Sequence, residues 1–564
     1  MTQMTTGPHR SKRAHLELQL DSSPTLGAAV SFGEPADGAA SRIVMVSGVP
    51  VSRVSPPVVE LLSAMDGQSA VRDLHARFAA DVPEQDFLAL VNRFRSNGLM
   101  EGADHKPAGR FVYRAPLTLQ VATLRAPAMF AWLDRGIRPL SSRATRALVP
   151  AIVLLGVIAM GLQTTDVARL LASPVPLLGL VVVLIVQSVM TLLHEGAHGV
   201  TLTRFGGTPR RAGFMLFYLT PAFFVDVTDG WRLEDRWQRV GVALAGPTVH
   251  AVLGSAFTIA ALFVADGIGR QILLLLGASC FGIVLVNLIP FVRFDGYIAL
   301  MSALDEPNLR DRSKRDFTRW LTGVLYGTAP VPKRLDRWWS ASFGMASTLA
   351  PVVLVVFAIM RIQSALASGG PVLAFLVLAI EGAVLAMGVA ILLRGVRNAW
   401  RAGVSTWRFI AVNLLVVIAV VMAGLCISVP STTTAGFSAT GSEIVLVQGG
   451  TRADADIPDG ADVALLTNGI LVNVPVGEAT LAARETAPTS VPLDVLFPVT
   501  AGGAEVPATV IGIAQRSLET AGLPSTGQAR IELGITNLWQ AVWESAVARP
   551  LAEIFNQHSD VRQG

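Results

Sequence analysis

The feature that most constrains the fold is a series of seven apolar runs, each long enough to cross a lipid bilayer. A transmembrane helix needs about 20 predominantly apolar residues. The runs lie at 147–163, 174–200, 237–265, 271–291, 343–363, 372–393 and 408–429. Hydrophobic residues make up 52% of the chain, more than an ordinary soluble domain carries. The sequence therefore predicts a polytopic α-helical membrane protein with about seven spans.

The charges between these runs predict its orientation. Basic residues follow the second, fourth and sixth runs, at 204–211, 310–337 and 394–408, whereas the alternate connections carry few charges. Lys and Arg concentrate on the cytoplasmic side of membrane proteins. The chain begins with a polar stretch that lacks the apolar segment of a secretory signal. We therefore expect the N-terminus in the cytoplasm and the C-terminus outside.

The segment before the first run, residues 15–105, has the pattern of a small winged-helix domain, and a polar disordered tail (1–14) precedes it. A strand-like stretch comes first and three amphipathic helices follow: RIVMVSG (42–48), PPVVELLSAMDG (56–67), SAVRDLHARFA (69–79) and EQDFLALVNRFRSNGLMEG (84–102). In the third helix the apolar side chains recur at helical spacing, namely Phe87, Leu90, Val91 and Phe94. The arginine-rich residues 106–146 predict a cytoplasmic juxtamembrane segment.

After the last run, residues 430–564 predict an extracytoplasmic β-rich domain with a C-terminal amphipathic helix. Strand-like runs are EIVLVQG (443–449), VPLDVLFPV (491–499), PATVIGIAQ (507–515) and ARIELGI (529–535). The stretch VALLTNGILVNV (463–474) predicts a β-hairpin, because Asn-Gly favours a two-residue type I′ turn. The helix at 538–557 carries Trp residues and could also lie at the level of the lipid headgroups.

The second apolar run ends in HEGAH (194–198), which has the spacing of a metal site. On a helix His194 and His198 share one face, so both imidazoles can hold one ion. Glu195 flanks that ion and can accept a proton from a bound water. A catalytic Zn²⁺ takes three protein ligands and a water. Because ionisable side chains inside a membrane span are costly and usually functional, the motif predicts one catalytic Zn²⁺.

A third ligand has to come from another part of the chain. The first candidate is Asp295, in NLIPFVRFDGYIAL (287–300), where a proline breaks the helix and Gly296 permits a tight turn. An irregular backbone at membrane depth is tolerated where it lines a cavity. One alternative makes Asp295 a surface turn residue paired with Arg293. The rival ligand is His250, which could instead hydrogen-bond near the site.

Several motifs in order resemble the site-2 protease family of intramembrane zinc metalloproteases, over roughly residues 110–300. HEGAH matches its first motif, and the Asn287, Pro290 and Asp295-Gly296 pattern looks like its second. Ala245-Gly246-Pro247 resembles the short motif of the intervening helix. The stretch 205–231 looks like the membrane-embedded hairpin of that family. One departure is His250, where relatives often carry Asn.

This resemblance implies roles for individual residues. Glu195 would be the catalytic base, and the zinc ligands would be His194, His198 and Asp295. The hairpin would pair with the unwound substrate, at Phe224, Val225 and Asp226. Asn287 would orient the substrate backbone, with helix packing as the equal alternative, and His250 would be a neighbouring second-shell group. Residues 147–300 would form the protease core, 301–342 a cytoplasmic connection, and 343–429 additional transmembrane helices for which the family implies no role.

Residues 40–102 resemble the PqqD-like precursor-recognition domain of ribosomal peptide biosynthesis, on the stretches ELLSAMDG and NGLMEG and the helix between them. In that family a leader peptide adds to the sheet of the domain as a strand. Binding of nucleic acid is not expected, because a DNA-binding surface needs a strongly basic face. Here the helix arginines are offset by acids: Arg72, Arg77, Arg93 and Arg95 against Asp73, Glu84 and Asp86.

Together the two resemblances imply a maturation protease of the kind found with daptide-type ribosomal peptides. It would capture a precursor leader and remove it at the bacterial inner membrane. Its expected partners are the precursor peptide, membrane lipids, and an exporter or modifying enzymes. One alternative is regulated intramembrane proteolysis of a signalling membrane protein, which the lack of an evident inserted domain between 199 and 287 disfavours. The other is a non-catalytic peptide exporter or immunity component.

Overall fold

The structure is a computed structural model. It describes residues 18–33, 42–46, 49–96, 98–101, 110–114, 118–123, 125–140, 142–217, 220–306, 308–327, 335, 337–366, 371–401, 404–440, 443–449, 457–483, 485–516, 523–548 and 550–551. The chain divides into two compact units. The first comprises Met1–Ser142, Thr191–Gly246 and Ala299–Pro307, and the second comprises the remainder. The division passes through the middle of three continuous helices, which therefore belong to both units.

In chain order the described helices are α1 (Pro56–Ser63), α2 (Val71–Phe78), α3 (Glu84–Ser96), α4 (Ala126–Ile137), α5 (Arg143–Leu162), α6 (Thr164–Leu171), α7 (Leu177–Arg204), α8 (Arg236–Ala261), α9 (Ile268–Asn287), α10 (Asp295–Ala303), α11 (Leu309–Tyr326), α12 (Ser340–Leu366), α13 (Pro371–Arg401), α14 (Thr406–Cys426), α15 (Leu493–Leu496) and α16 (Leu538–Trp543). Short 3-10 turns span Arg138–Leu140 and Thr228–Arg232, and a π turn spans Glu544–Ala548.

The described strands are β1 (Val30–Phe32), β2 (Arg42–Val46), β3 (Val49–Val54), β4 (Phe111–Arg114), β5 (Thr118–Thr123), β6 (Val175–Pro176), β7 (Ala212–Phe217), β8 (Thr220–Val225), β9 (Ser428–Thr440), β10 (Glu443–Gly449), β11 (Asp462–Leu466), β12 (Pro475–Ala483), β13 (Ala487–Pro492), β14 (Val499–Thr500), β15 (Glu505–Arg516) and β16 (Thr526–Asn537).

Six of the helices are long and apolar enough to cross a membrane: α7, α8, α9, the Ser340–Ala358 part of α12, the Ala374–Arg397 part of α13, and α14. A seventh crossing is possible if α5 and α6, which meet at a bend of 68°, form one span. Helices therefore cover most of each of the seven apolar runs. The prediction of a polytopic helical membrane protein is confirmed at this level, while the orientation of its ends stays a prediction.

The N-terminal residues pack three helices against a small sheet. The strands β1, β2 and β3 form an antiparallel sheet in that order, and α1 to α3 follow where the apolar periodicity predicts helices. In α3, Phe87 and Val91 are buried in a core that also contains Leu62 of α1. Leu90 departs from the predicted face, since 37% of it is exposed.

A four-stranded antiparallel sheet lies in the same unit and has the order β4-β5-β7-β8. The hairpin β7–β8 lies within the stretch that resembles a membrane-embedded hairpin. The strands β4 and β5 come from the predicted juxtamembrane segment 106–146, for which no strand was expected. Alternation could not reveal them, because both are short, β4 pairs with β5, and β5 pairs with β7, a strand remote in sequence. Within the described residues, β8 pairs only with β7 and so forms an edge of the sheet.

The C-terminal residues form a closed six-stranded barrel. Its strands follow the order β10-β9-β16-β11-β12-β15, and pairing of β15 with β10 closes the ring. The strand β13 adds to β15 beyond the end of β12. Phe437, Leu446, Leu465 and Ile531 fill the interior and are almost completely buried. A β-rich C-terminal domain is therefore present, and closure leaves its main strands without free edges.

Two local predictions in this domain are wrong. The strand β11 ends at Leu466 and β12 starts at Pro475, so Asn468-Gly469 lies in a longer loop and not in a two-residue turn. That loop is held by tertiary contacts: the amides of Leu471 and Val472 each donate to Leu171 O at 3.3 Å. The stretch 491–499 is not one strand either, since α15 interrupts it.

The predicted helix at 538–557 is described as α16 and the π turn after it, and residues 552–564 lie outside the described ranges. Trp539 donates its indole N–H to Val421 O of α14 at 3.2 Å. A β-carbon on Gly424 would collide with this indole, so the glycine lets α16 pack directly on α14. This contact ties the barrel to a membrane helix within the second unit.

Candidate metal centre

The helix α7 carries two buried histidines one turn apart. His194 is 5% exposed and His198 is 6% exposed, and their ring centres lie 5.0 Å from each other. The helix α10 begins at Asp295. One ligand atom each of His194, His198 and Asp295 lies within 4.8 Å of the others. The three predicted ligands therefore form a cluster that could hold a metal ion.

Gly246 of α8 leaves open the space that an ion would need. A β-carbon built on Gly246 would lie 2.4 Å from Nε2 of His194 and 2.4 Å from Nε2 of His198. A Zn–N bond is about 2.0–2.1 Å long. Both Nε2 atoms therefore face the same point, which is open because Gly246 has no side chain. Two imidazoles and a carboxylate are a donor set that Zn²⁺ accepts. The residues present fit this metal.

The tautomer of His198 is fixed by a backbone carbonyl. Its Nδ1 lies 2.7 Å from Val242 O, and because a carbonyl can only accept, Nδ1 donates its proton there. The lone pair is then on Nε2, the atom that faces Gly246. A backbone partner of this kind orients a ligand ring and raises its basicity. Val242 and Gly246 lie one turn apart on α8. This one segment therefore contacts Nδ1 of His198 through a carbonyl and leaves space beside its Nε2.

Glu195 contacts the edge of the four-stranded sheet. The amide of Val225, the last residue of β8, donates to Glu195 Oε2 at 3.2 Å. The predicted base therefore lies where the hairpin ends. Of the other residues predicted to bind substrate, Phe224 stacks against Arg211, and the carboxylate of Asp226 accepts from the amide and hydroxyl of Thr228. Asp226 thus also stabilises the turn that follows β8.

The segment that precedes Asp295, residues 288–294, is irregular, as its proline predicts. It connects the end of α9 to α10. A β-carbon on Gly296 would lie 2.5 Å from Leu288 O. Gly296 has no positive φ, so this close approach of two backbone segments, and not a special turn conformation, is the reason for glycine. Arg293 forms an ion pair with Asp311 at 2.9 Å.

Asn287 and His250 make contacts of their own. The side-chain amide of Asn287 donates to Ile283 O within α9 at 3.1 Å. His250 is 1% exposed, and its Nε2 lies 3.0 Å from Nε2 of Gln187, which donates to it. Gln187 Oε1 in turn accepts from Ser279. Gln187 precedes His194 by two turns, about 10 Å along α7, so this hydrogen-bond network meets α7 two turns before the first predicted ligand.

Sequence reasoning did not identify three residues that shape this region, namely Gly246, Gln187 and Arg211. Gly246 was noted only as part of a motif, although a Gly-Pro pair inside an apolar helix is a usable signal for close packing. Gln187 could have been noticed as an isolated amide in an apolar run. The sequence gives no sign that Arg211 is buried.

No protein-family model matches the chain, and no curated protein or solved structure is significantly similar to it.

Proposed function

We propose that the protein is an intramembrane zinc endopeptidase of the site-2 protease type, which removes the leader of a ribosomally made precursor peptide. Its N-terminal PqqD-like winged-helix domain would capture the leader in the cytoplasm, and cleavage would occur in the bacterial inner membrane. The observation that carries the proposal is the cluster of His194, His198 and Asp295 with Glu195 beside it on α7.

The chemistry needs two functions from the site. Zn²⁺ bound by the two histidines and Asp295 would polarise the scissile carbonyl and acidify a water. Glu195 would accept the proton of the attacking water on a carboxylate oxygen and pass it to the leaving amide nitrogen. The hydrogen bond that Val225 donates to Oε2 would hold the Glu195 carboxylate in position for this proton transfer.

The edge of β8 is the proposed binding surface for the scissile segment. A helical peptide hides its amides in its own hydrogen bonds, so it has to unwind before it can be cut. Strand addition to a sheet edge satisfies the amides that unwinding frees. Val225 directs its amide away from β7 toward Glu195, and alternation gives Phe223 the same outward direction. A peptide paired here would pass directly beside the base.

The position of the N-terminal sheet supports delivery of a leader. The strand β3 is the last strand of that sheet in the described residues, so its outer edge can accept another strand. It contacts the 3-10 turn Thr228–Arg232, three residues after β8, and both lie in the first unit. A leader paired with β3 would hold the following residues of the precursor near the β8 edge.

The test uses the purified full-length protein in detergent and a candidate precursor co-expressed with it. The expected results are about one zinc per chain and cleavage that a chelator abolishes and added Zn²⁺ restores. Glu195→Gln should keep the metal and lose cleavage, because the amide still accepts from Val225 but cannot take a proton. Cleavage that persists in Glu195→Gln would refute the proposed mechanism, and a chain that binds no zinc would refute the enzyme class.

A further inference from the structure

Arg211 directly precedes β7 and forms no ion pair with the part of the chain that the structure describes. Arg211 is 6% exposed, and its Nε and Nη2 atoms are buried without a hydrogen-bond partner. Among the described residues its guanidinium contacts the ring of Phe224, and Arg211 Cζ lies 5.8 Å from the centre of that ring. A buried guanidinium without an anion is strongly destabilising. Such a group is retained where a ligand brings the missing charge.

Two acids that follow β8 contact other groups in the described residues. Asp229 Oδ2 accepts from the amide of Thr208 at 2.8 Å, and Asp229 Oδ1, which has no hydrogen-bond partner there, lies 3.7 Å from Arg210 and 3.5 Å from Arg232. The carboxylate of Asp226 accepts from Thr228, and only the backbone amide of Asp226 contacts Arg211, at its carbonyl. Within the ranges that the structure describes, no carboxylate therefore pairs with the guanidinium of Arg211.

The side chain of Arg211 extends toward the edge proposed to bind substrate. In the ladder Ala212 faces Val225 and Gly213 faces Phe224. The long Arg211 side chain crosses from the β7 side of the hairpin to a ring on β8. A peptide strand added to β8 would lie about 4.8 Å beyond it. A carboxylate on the same face of that strand could reach the two free nitrogens.

We propose that Arg211 is a specificity residue that binds an acidic side chain, Asp or Glu, of the peptide lying along β8. A planar carboxylate matches the two adjacent N–H groups of a guanidinium in a bidentate pair. The identity of the ligand as a peptide rests on the proposed function. The need for an anion rests only on the buried, unpaired guanidinium.

The test measures binding and not only cleavage. The probes are two sets of rhodamine-labelled ten-residue apolar peptides, in which a single Glu or a single Gln is moved through each position. Fluorescence anisotropy gives their Kd with the Glu195→Gln protein in detergent micelles, so that turnover cannot interfere. The same sets are then presented to the active protein as substrates.

At one position we expect Glu to bind more tightly than Gln by about tenfold or more, as a charge-assisted hydrogen bond allows. In the Arg211→Gln variant the two peptides should bind equally, while the Gln peptide keeps its wild-type Kd. Arg211→Lys should keep part of the preference, because it restores charge without the bidentate geometry. The matched control is Arg210→Gln, which removes the neighbouring arginine and leaves Asp229 paired with Arg232.

Equal binding of Glu and Gln peptides at every position, or a preference that survives in Arg211→Gln, would overturn the proposal. If Arg211→Gln lowers the thermal unfolding midpoint, the ratio of the two Kd values within that variant remains the deciding quantity. Failure of the proposed function has a different signature. In that case the active protein cleaves neither set, although the anisotropy measurement still reports whether Arg211 selects a carboxylate.

Discussion

Gly246 and His198 are so close that a β-carbon on the glycine would lie 2.4 Å from the histidine Nε2 atom. That β-carbon would also lie 2.4 Å from Nε2 of His194. Only glycine leaves this point open, although it costs helix stability relative to alanine. The relationship brings the apolar helix α8 against α7 and leaves a space in which the proposed metal ion would fit.

Substitution of Gly246 by alanine should therefore remove the metal. A methyl group would occupy the ion's position, and we expect zinc affinity to fall by about a hundredfold or more, since outer-shell changes alone cost about ten- to a hundredfold. Zinc content by elemental analysis of the purified protein is the measurement. The control is Gly241→Ala in the same helix, where the added carbon would make only an ordinary 3.4 Å contact with Phe205. Full zinc content in Gly246→Ala would contradict this account.

His250 should prove to be a structural residue and not a ligand. Its replacement by alanine removes the hydrogen bond with Gln187, and loss of such a buried bond costs about 1–3 kcal/mol of unfolding free energy. Thermal unfolding in detergent should show a lower midpoint, while the protein still purifies with zinc. The comparison is His198→Ala, which should lose the metal. A His250→Ala protein that unfolds normally but carries no zinc would reverse the two roles.

The amide of Val225 should matter for catalysis, not for metal binding. Val225→Pro removes the N–H that donates to Glu195, and an edge strand tolerates proline where its N–H faces outward. We expect kcat to fall about tenfold, since positioning a general base contributes about 10² to 10⁴ in total. Zinc content should not change. Val225→Ala keeps the N–H and should stay close to wild type, so an equal loss in both variants would point to side-chain packing instead.

Glu381 is an acid within the apolar helix α13, and its Oε2 atom is buried without a hydrogen-bond partner. An acidic residue near the middle of a membrane helix costs about 2.5–3.5 kcal/mol on insertion scales. We therefore expect Glu381→Leu to raise the thermal unfolding midpoint, with a smaller rise for Glu381→Gln, which keeps a polar group. Intrinsic tryptophan fluorescence during heating provides the measurement. A midpoint that falls in Glu381→Leu would mean that the carboxyl stabilises the helix packing.

The local features of this protein could be derived from its sequence. The apolar runs predict the membrane helices because a bilayer demands length and hydrophobicity, and both are properties of a contiguous segment. The HEGAH spacing places two imidazoles on one face because helix geometry is the same wherever a helix forms. In the barrel, the stretches 443–449 and 507–515 were recognised as strands from their own residues.

The other features of the fold and of the candidate site depend on which distant segments of the chain pack together, so only the tertiary structure shows them. Only packing showed that Gly246 faces the histidines, that β4 and β5 extend the hairpin, and that the barrel closes through β10 and β15. The loop at Asn468-Gly469 shows the same effect, because contacts with Leu171 override a strong local turn preference. The unpaired charge of Arg211 likewise follows from burial, which depends on the surrounding chain and not on the residue itself.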